Sequence, residues 1–260
     1  MSRVLSLGMD IGSTTSKCVL MNGERQLLAM ALVVAGIGTQ GPEQAAAQLL
    51  ENAQVRWEDI DVITATGYGR LRYERAQHQV SELTCHALGT GWLFPQARTV
   101  IDIGGQDVKI LSLGPEGRLL NFVMNDKCAA GTGRFLDVMA NILQIRIDDL
   151  GPCAMQAERA AVISSTCTVF AESEVISQLA AGVDRNEVIA GICESVAAKT
   201  ASLAKRLPIR ADVVMSGGVA RNEGVRRCLE KHLETPILHA PQAQYTGALG
   251  AALYGLKAAD

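Results

Sequence analysis

Asp102-Ile-Gly-Gly-Gln-Asp-Val-Lys109 ends the apolar, β-branched run Thr99 to Ile103 in a Gly-Gly turn beside a carboxylate. Residues 10–17 say nearly the same thing, as Asp10-Ile-Gly-Ser-Thr-Thr-Ser-Lys17. Asp, Ile, Gly and Lys recur at the same four places within eight residues. Each copy runs on into an apolar segment, a Gly-containing turn (Asn22-Gly23 in one, Gly114-Pro115-Glu116-Gly117 in the other) and a second apolar segment. Glycine at such a turn lets backbone N–H groups approach an anion, and the Asp can hold a divalent cation. One strand ending in Asp-x-Gly is commonplace. A repeated unit of strand, phosphate-type turn and hairpin is not, and two such turns facing one another would grip a nucleotide's phosphates from both sides.

The bulk properties narrow the field. At 260 residues the chain can bury a sizeable core as one large or two small domains. A net charge of −3 offers no basic footprint, so nucleic acid is not an expected partner. Hydrophobic content is 48% with only 4% aromatic, which predicts a core of Ala, Val, Leu and Ile. No apolar run approaches the roughly 18 residues that span a bilayer, so no membrane association is expected. Asp10 and Gly12 interrupt the apolar N-terminal stretch, which lacks a secretory leader's pattern, and the expected compartment is the cytoplasm. Seven cysteines are then thiols, metal ligands or redox groups rather than disulfides. No Cys-x-x-Cys occurs, which excludes a zinc ribbon or a ferredoxin-type run within one loop.

Along the chain, residues 3–10 read as a strand, and Cys18–Met21 with Leu27–Val34 as a hairpin across Asn22-Gly23. Pro42 suits the first turn of an Ala-rich helix running to about Asn52. A strand at Val62–Thr66 ends in Gly67-Tyr-Gly69-Arg70, and helical segments fill much of 78–93. After the second repeat a helix begins at Gly131 or Thr132, with Phe135, Val138, Met139, Ile142 and Leu143 on one face. A strand near Val162–Thr166 reaches Cys167, and a helix follows from Ala171 with acids in its first turn. Asp184 and Glu187 read as a capping box on a helix from Arg185 to Leu207, stopped by Pro208. Ala211–Met215 is a strand leading to Ser216-Gly217-Gly218, Pro236–His239 is another, and a last helix starts at Tyr245. The expected architecture is α/β, two related lobes around a nucleotide cleft. The first lobe takes residues 1–96 and 245–260, the second 97–244.

Three Gly-centred strand ends, at Asp10, Asp102 and Ser216-Gly-Gly218, favour a nucleotide site. The first two supply phosphate grips and Mg²⁺ carboxylates, the third a flat backbone platform for adenosine. The pattern resembles the actin, heat-shock chaperone and sugar-kinase superfamily of ATPases, whose lobes are ribonuclease H-like. A P-loop is absent, since no Gly-x-x-x-x-Gly-Lys-Ser/Thr occurs.

The cysteines divide into two groups. Cys18 lies in a strand, Cys193 on an apolar helix face, and Cys85, Cys153 and Cys228 in helical segments, where each reads as a small buried hydrophobe. Cys128 and Cys167 each precede a helix start, where the dipole favours a thiolate. Two thiolates 39 residues apart are too few for a tetrahedral or cubane site. A twofold dimer would double them to four, the number an iron–sulfur cluster takes. Isolated structural thiols are the alternative, and chemistry alone leaves both open.

Asn125-Asp-Lys-Cys128-Ala-Ala-Gly131-Thr-Gly133-Arg134-Phe135 and Ser164-Ser-Thr-Cys167-Thr-Val-Phe-Ala-Glu172-Ser-Glu174 resemble the two cluster-ligand segments of a known family. It is that of the ATP-dependent activators (component A) of 2-hydroxyacyl-CoA dehydratases, related to the ATPase subunits of benzoyl-CoA reductases. The resemblance runs from Gly8 to Gly255 and takes in Ala65-Thr-Gly67-Tyr-Gly69-Arg70 and Tyr245-Thr-Gly247-Ala-Leu-Gly250. It implies a homodimer with one [4Fe-4S] cluster held by Cys128 and Cys167 of each copy. It also implies that Gly12, Ser13, Thr14, Thr15, Ser16 and Lys17, with Gly104, Gly105 and Gln106, face the phosphates of ATP. Asp10 and Asp102 would surround Mg²⁺, and Gly217, Gly218, Arg221, Asn222 and Gln244 would lie near adenosine. Arg221 departs from the family pattern, which has glutamine there. The implied task is to take one electron from a ferredoxin or flavodoxin and deliver it, driven by ATP hydrolysis, to an iron–sulfur dehydratase or reductase. A small-molecule kinase of the same superfamily is the competing reading, and it would need an acceptor pocket with a carboxylate base. A third is an ATP-gated scaffold without electron transfer.

Overall fold

The structure is a computed structural model that describes residues 4–163 and 167–259. The first part of the chain builds the strands β1 (Leu5–Ile11), β2 (Ser16–Asn22) and β3 (Leu27–Val33), helix α1 (Gly41–Ala53), β4 (Val62–Thr66), β5 (His78–Gln79) and α2 (Glu82–Leu93). The second builds β6 (Thr99–Ile103), β7 (Val108–Leu113), β8 (Leu119–Asn125), α3 (Gly133–Leu143), α4 (Leu150–Ala154), α5 (Thr168–Ala180) and α6 (Arg185–Ala204). It closes with β9 (Val213–Ser216), α7 (Glu223–Leu233), β10 (Ile237–Leu238) and α8 (Thr246–Ala259). No helix among the described residues is long and apolar enough to cross a membrane.

The strands form two five-stranded sheets of the same order, β3-β2-β1-β4-β5 and β8-β7-β6-β9-β10. In each, the acidic strand pairs antiparallel with the next, so that Asp10 faces Lys17 and Asp102 faces Lys109. Each also pairs in parallel with a strand from further along, Asp10 opposite Thr66 and Asp102 opposite Ser216. An offset of 92 residues carries β3 onto β8 end to end and the first residue of α1, Gly41, onto that of α3, Gly133. The repeat visible over eight residues therefore extends through the whole hairpin and into the following helix.

The chain divides into two compact units. One holds the described residues up to Ala97, then Leu113–Leu120 and 244–259; the other holds Arg98–Ser112 and the described part of Asn121–Ala243. In the first unit the period-2 alternation of the strands feeds both sheet faces. Leu7, Met9 and Leu20 pack with Ala45, Ala46 and Leu49 of α1. Val19 and Met21 pack with Ala248, Leu249 and Ala252 of α8. Small residues bring α8 down to backbone contact: a Cβ on Gly250 would lie 1.7 Å from the Cys85 carbonyl oxygen, and one on Gly8 would lie 2.0 Å from that of Ala248. In the second unit Ile101, Ile103 and Ile110 join Phe135 and Leu136 of α3 and Val188, Ile192 and Val196 of α6 in one core.

Several local expectations shift. The turn after β2 does not close on Asn22-Gly23 as a two-residue loop. Arg25 takes the left-handed conformation (φ 59°), and the Asn22 side chain accepts from the amides of Glu24 and Gln26. His78–Gln79 is a short strand, and the helix there starts at Glu82, capped by Ser81. On α3 the buried face uses Leu136 and Ala140, while Val138 and Ile142 are only partly covered. Residues 162–163 are not strand, and 164–166 lie outside the described residues. α5 starts at Thr168 rather than Ala171, which leaves its first turn without acids. Asp184 does cap α6, accepting from the amides of Asn186 and Glu187, but the Glu187 carboxylate binds Arg159 instead of closing a box. α6 ends at Ala204, three residues short of Leu207.

Candidate functional site

The first acidic turn is held from below. Gly12 N–H donates to the Thr15 carbonyl at 3.0 Å, and the Ile37 amide donates to the Gly12 carbonyl at 2.9 Å. Gly36 lies so close that a Cβ on it would stand 2.3 Å from the Ser13 carbonyl oxygen. Asp10 is buried, and its Oδ2 receives Lys17 Nζ at 3.2 Å. Gly67, at φ 82°, passes under the carboxylate: its Cβ would be 2.6 Å from Asp10 Oδ1. A Cβ on Gly247 would be 3.0 Å from both Asp10 Oδ2 and His86 Nε2, so His86 belongs to this neighbourhood although nothing in its sequence context suggested it. Ser13, Thr14 and Thr15 form the half-buried turn. Ser16 does not join them: it is fully buried, and its hydroxyl donates to the Ala35 carbonyl at 2.7 Å.

The second turn repeats the plan with a heavier charge load. Gly104 N–H donates to the Asp107 carbonyl at 2.9 Å, as Gly12 does to Thr15. Where the first copy has Thr15 the second has Asp107, which was missed from sequence. Lys109 Nζ sits 2.7 Å from Asp107 Oδ1 and 3.5 Å from Asp102 Oδ2, all three side chains being at least 95% buried. The Ser216 hydroxyl donates to Asp102 Oδ1 at 2.8 Å. Gln106 is exposed at the tip, and Gly104 and Gly105 are half-buried.

Gly217, at φ 83°, stands to Asp102 as Gly67 stands to Asp10: its Cβ would meet the Ile103 carbonyl at 2.3 Å and Asp102 Oδ1 at 3.0 Å. It thus supports the second carboxylate, a role the platform reading of Ser216-Gly-Gly218 did not include. Gly218 opens a 3-10 turn ending at Arg221, whose guanidinium lies 3.5 Å from Asp148 on the surface. Asn222 caps α7, its Oδ1 accepting from the Val225 amide at 3.0 Å. Gln244 lies in the 3-10 turn Ala243–Tyr245.

The first two residues of α3 offer Cys128 no direct amide hydrogen bond. The first two amides of α3 are spent elsewhere: Gly133 N–H donates to the Gly104 carbonyl at 2.9 Å and Arg134 N–H to that of Gly105 at 2.7 Å. What faces Cys128 is a cation. The Lys199 stem passes 3.4 Å from where a Gly131 Cβ would be, and its Nζ reaches Cys128 Sγ at 3.7 Å. The Asn125 amide holds the Cys128 carbonyl at 3.0 Å. Cys167 is itself the N-cap of α5, and its side chain makes no capping hydrogen bond. Val169 and Phe170, just beyond it, are 67% and 68% exposed.

The remaining thiols are of another kind. Burial pushes Cys18, Cys85 and Cys228 up to about 12, and Cys193 higher still, so these stay protonated. Cys128 and Cys167 are free and half-buried. A cation beside one and a helix N-terminus beside the other suit thiolate ligands. Among the described residues no three His, Cys, Asp or Glu side chains converge on a metal-sized point. The donor chemistry therefore fits half of a four-thiolate set per chain.

Known proteins resemble the chain over nearly its whole length. The chain is 53% identical over 257 residues to the (R)-2-hydroxyglutaryl-CoA dehydratase activating ATPase of Acidaminococcus fermentans, covering 98% of each. Its structure superposes with a TM-score of 0.96 on the activator of the 2-hydroxyisocaproyl-CoA dehydratase from Clostridium difficile, solved with bound ADPNP, at 48% identity and over 98% and 96% of the two chains. A ROK family glucokinase from Streptomyces griseus, 14% identical, matches 97% of this chain and 99% of its own with a TM-score of 0.57, which shows the sugar-kinase-type fold. The chain belongs to the BadF/BadG/BcrA/BcrD ATPase family, whose pattern it matches from residue 7 to residue 255.

Proposed function

We propose that this chain is an ATP-hydrolysing activator that takes one electron from a ferredoxin or flavodoxin and delivers it at low potential to an iron–sulfur dehydratase or reductase of acyl-CoA substrates. The observation that carries this reading is the pair of hydrogen bonds from Gly133 and Arg134 to the carbonyls of Gly104 and Gly105. A phosphate-type turn and the loop bearing a ligand cysteine are thereby one mechanical piece. Asp10 and Asp102 hold Mg²⁺, the turns at Gly12–Lys17 and Gly104–Gln106 take the phosphates, and Gln106, exposed at its tip, positions the attacking water. Gly218, Arg221, Asn222 and Gln244 take the adenosine.

Cys128 and Cys167 of two copies hold the [4Fe-4S] cluster, which supplies a one-electron carrier whose potential follows its surroundings. The exposed Val169 and Phe170 beside Cys167 offer an apolar surface to the second copy. Loss of the γ-phosphate alters the second turn. Its carbonyls carry α3 with them, and the Cys128 loop moves relative to Lys199. Nucleotide state and cluster environment are then coupled free energies, each able to bias the other.

The test follows visible absorbance of anaerobically purified protein under a soluble iron chelator. ATP should speed the bleaching relative to ADP or no nucleotide. Equal rates in all three would remove the coupling, and colourless, iron-free protein would remove the electron-transfer reading altogether.

A further inference from the structure

Beside Cys128, wholly within the second unit, lies a cavity of about 300 Å³. One wall is made by Lys199, Thr200, Ser202 and Leu203 of α6 and by Arg206 just past its end. The other is made by Val108 of β7 and by Met124 and Asn125 at the end of β8. Three features set it apart from a packing gap. Its two cations stand seven residues apart in the chain, Lys199 near the end of α6 and the exposed Arg206 two residues past its last residue, Ala204. The Arg206 guanidinium makes no hydrogen bond or ion pair among the described residues, although the cavity opens beside it. The Thr200 side chain is 1% exposed, and its hydroxyl is buried without a hydrogen-bond partner. Such a group is costly to bury unless something binds it.

A single compact anion cannot satisfy both ends of this wall. The rest of the lining is apolar at Val108, Met124, Ala130 and Leu203, with the Thr200 and Ser202 hydroxyls and the Asn125 amide for polar contacts. A guanidinium fork suits a carboxylate, and a cavity of this size is at the small end of ligand pockets, roughly 300–1,000 Å³. From this arrangement we infer that the cavity is a binding site for a small dianion with a short apolar middle, of the short-chain dicarboxylate class. One carboxylate meets the Arg206 fork, the other meets Lys199, and the Thr200 hydroxyl donates to the bound molecule. Because Lys199 also faces Cys128, occupancy reaches the cysteine loop through that shared ammonium.

Equilibrium dialysis with labelled glutarate tests this, on the anaerobically purified full chain kept saturated with Mg-ADP so that the phosphate turns are filled. Saturable binding of one glutarate per chain is expected, stronger than binding of the shorter malonate or of acetate. Arg206→Gln should weaken it about tenfold or more, and Thr200→Val about threefold. Arg206 is exposed and Thr200→Val keeps the shape of a buried side chain, and thermal melting checks that the variants remain folded. Binding should survive in protein that has lost its iron, which separates this proposal from the electron-transfer reading. No saturable glutarate binding, equal binding in Arg206→Gln, or acetate binding as strongly as glutarate would each overturn it.

Discussion

In the first unit Lys17 meets one carboxylate, Asp10, and keeps 15% of its side chain exposed; in the second Lys109 lies between Asp102 and Asp107 with 3% exposed. The register of strand against strand is the same in both. The loops that follow the two hairpins have diverged further. Under the 92-residue offset Cys128 stands where the first unit has Gly36. Gly36 is pinned against backbone carbonyls, whereas the loop at Cys128 has opened far enough to take a side chain and a lysine beside it. A duplicated fold thus kept its carboxylates in both halves and changed what is attached to one of them. The first copy stayed a turn; the second became a turn wired to a thiol.

The comparison predicts unequal responses to matched substitutions. Cys128→Ser should remove all iron from anaerobically reconstituted protein while ATP binding persists, because under the proposed sharing of the cluster by two copies each substitution costs two of four ligands. Cys85→Ser in the first unit should keep the full complement, and a four-iron EPR signal in Cys128→Ser protein would refute the assignment. Lys109→Met leaves two buried carboxylates facing each other and should lower unfolding free energy by about 3–5 kcal/mol. Lys17→Met strands only one, slightly less buried than Asp102, and should cost about half as much in the same denaturant titration. Equal losses would mean that the extra carboxylate of the second copy adds nothing.

Gly36→Ala should destabilise by about 3 kcal/mol, since its Cβ would press on the Ser13 and Gly12 carbonyls; Cys128→Ala, at the matching place, should cost under about 1 kcal/mol. Melting curves of iron-free protein separate the two. The smallest effect belongs to the arginines of the 3-10 turns. Arg70 donates to the Gly67 carbonyl at 3.0 Å from a half-buried position, while Arg221 meets Asp148 in an exposed pair. Arg221→Ala should change stability by less than about 1 kcal/mol and by less than Arg70→Ala does.

Much of the fold was legible because the repeat is spelled in the same letters at residues 10–17 and 102–109. Hairpins and helices followed from that and from turn chemistry, whereas Cys128 and Cys167 were set apart by their places before helix starts and by the family resemblance. Other parts were hidden for physical reasons. Asp107 occupies the one position where the second copy departs from the first by adding a charge, and repeat reading attends to what recurs. Lys199 meets Cys128 across 71 residues of chain, a contact made by the packing of α6 and signalled by nothing near either residue. Ser216-Gly217 and Thr66-Gly67 do the same structural work beneath the two carboxylates, but they share only the glycine. Thr168-Val-Phe170 has β-branched and aromatic letters that favour a strand, and the helix begins there all the same, with Cys167 as its cap.

The close seating of α8 against β1 and α2 also fixes an order of events during synthesis. Val19 and Met21, made early, find their apolar partners Ala248, Leu249 and Ala252 only after every residue of the second unit has left the ribosome. The second unit, nearly continuous in the chain, should close first, leaving the first with one face of its sheet uncovered. A nascent chain stalled with α8 still in the exit tunnel should resist protease through β6 to β10 and be cut within the β1–β3 hairpin. For as long as that interval lasts, the half-built sheet is the part of the molecule that a chaperone has to guard.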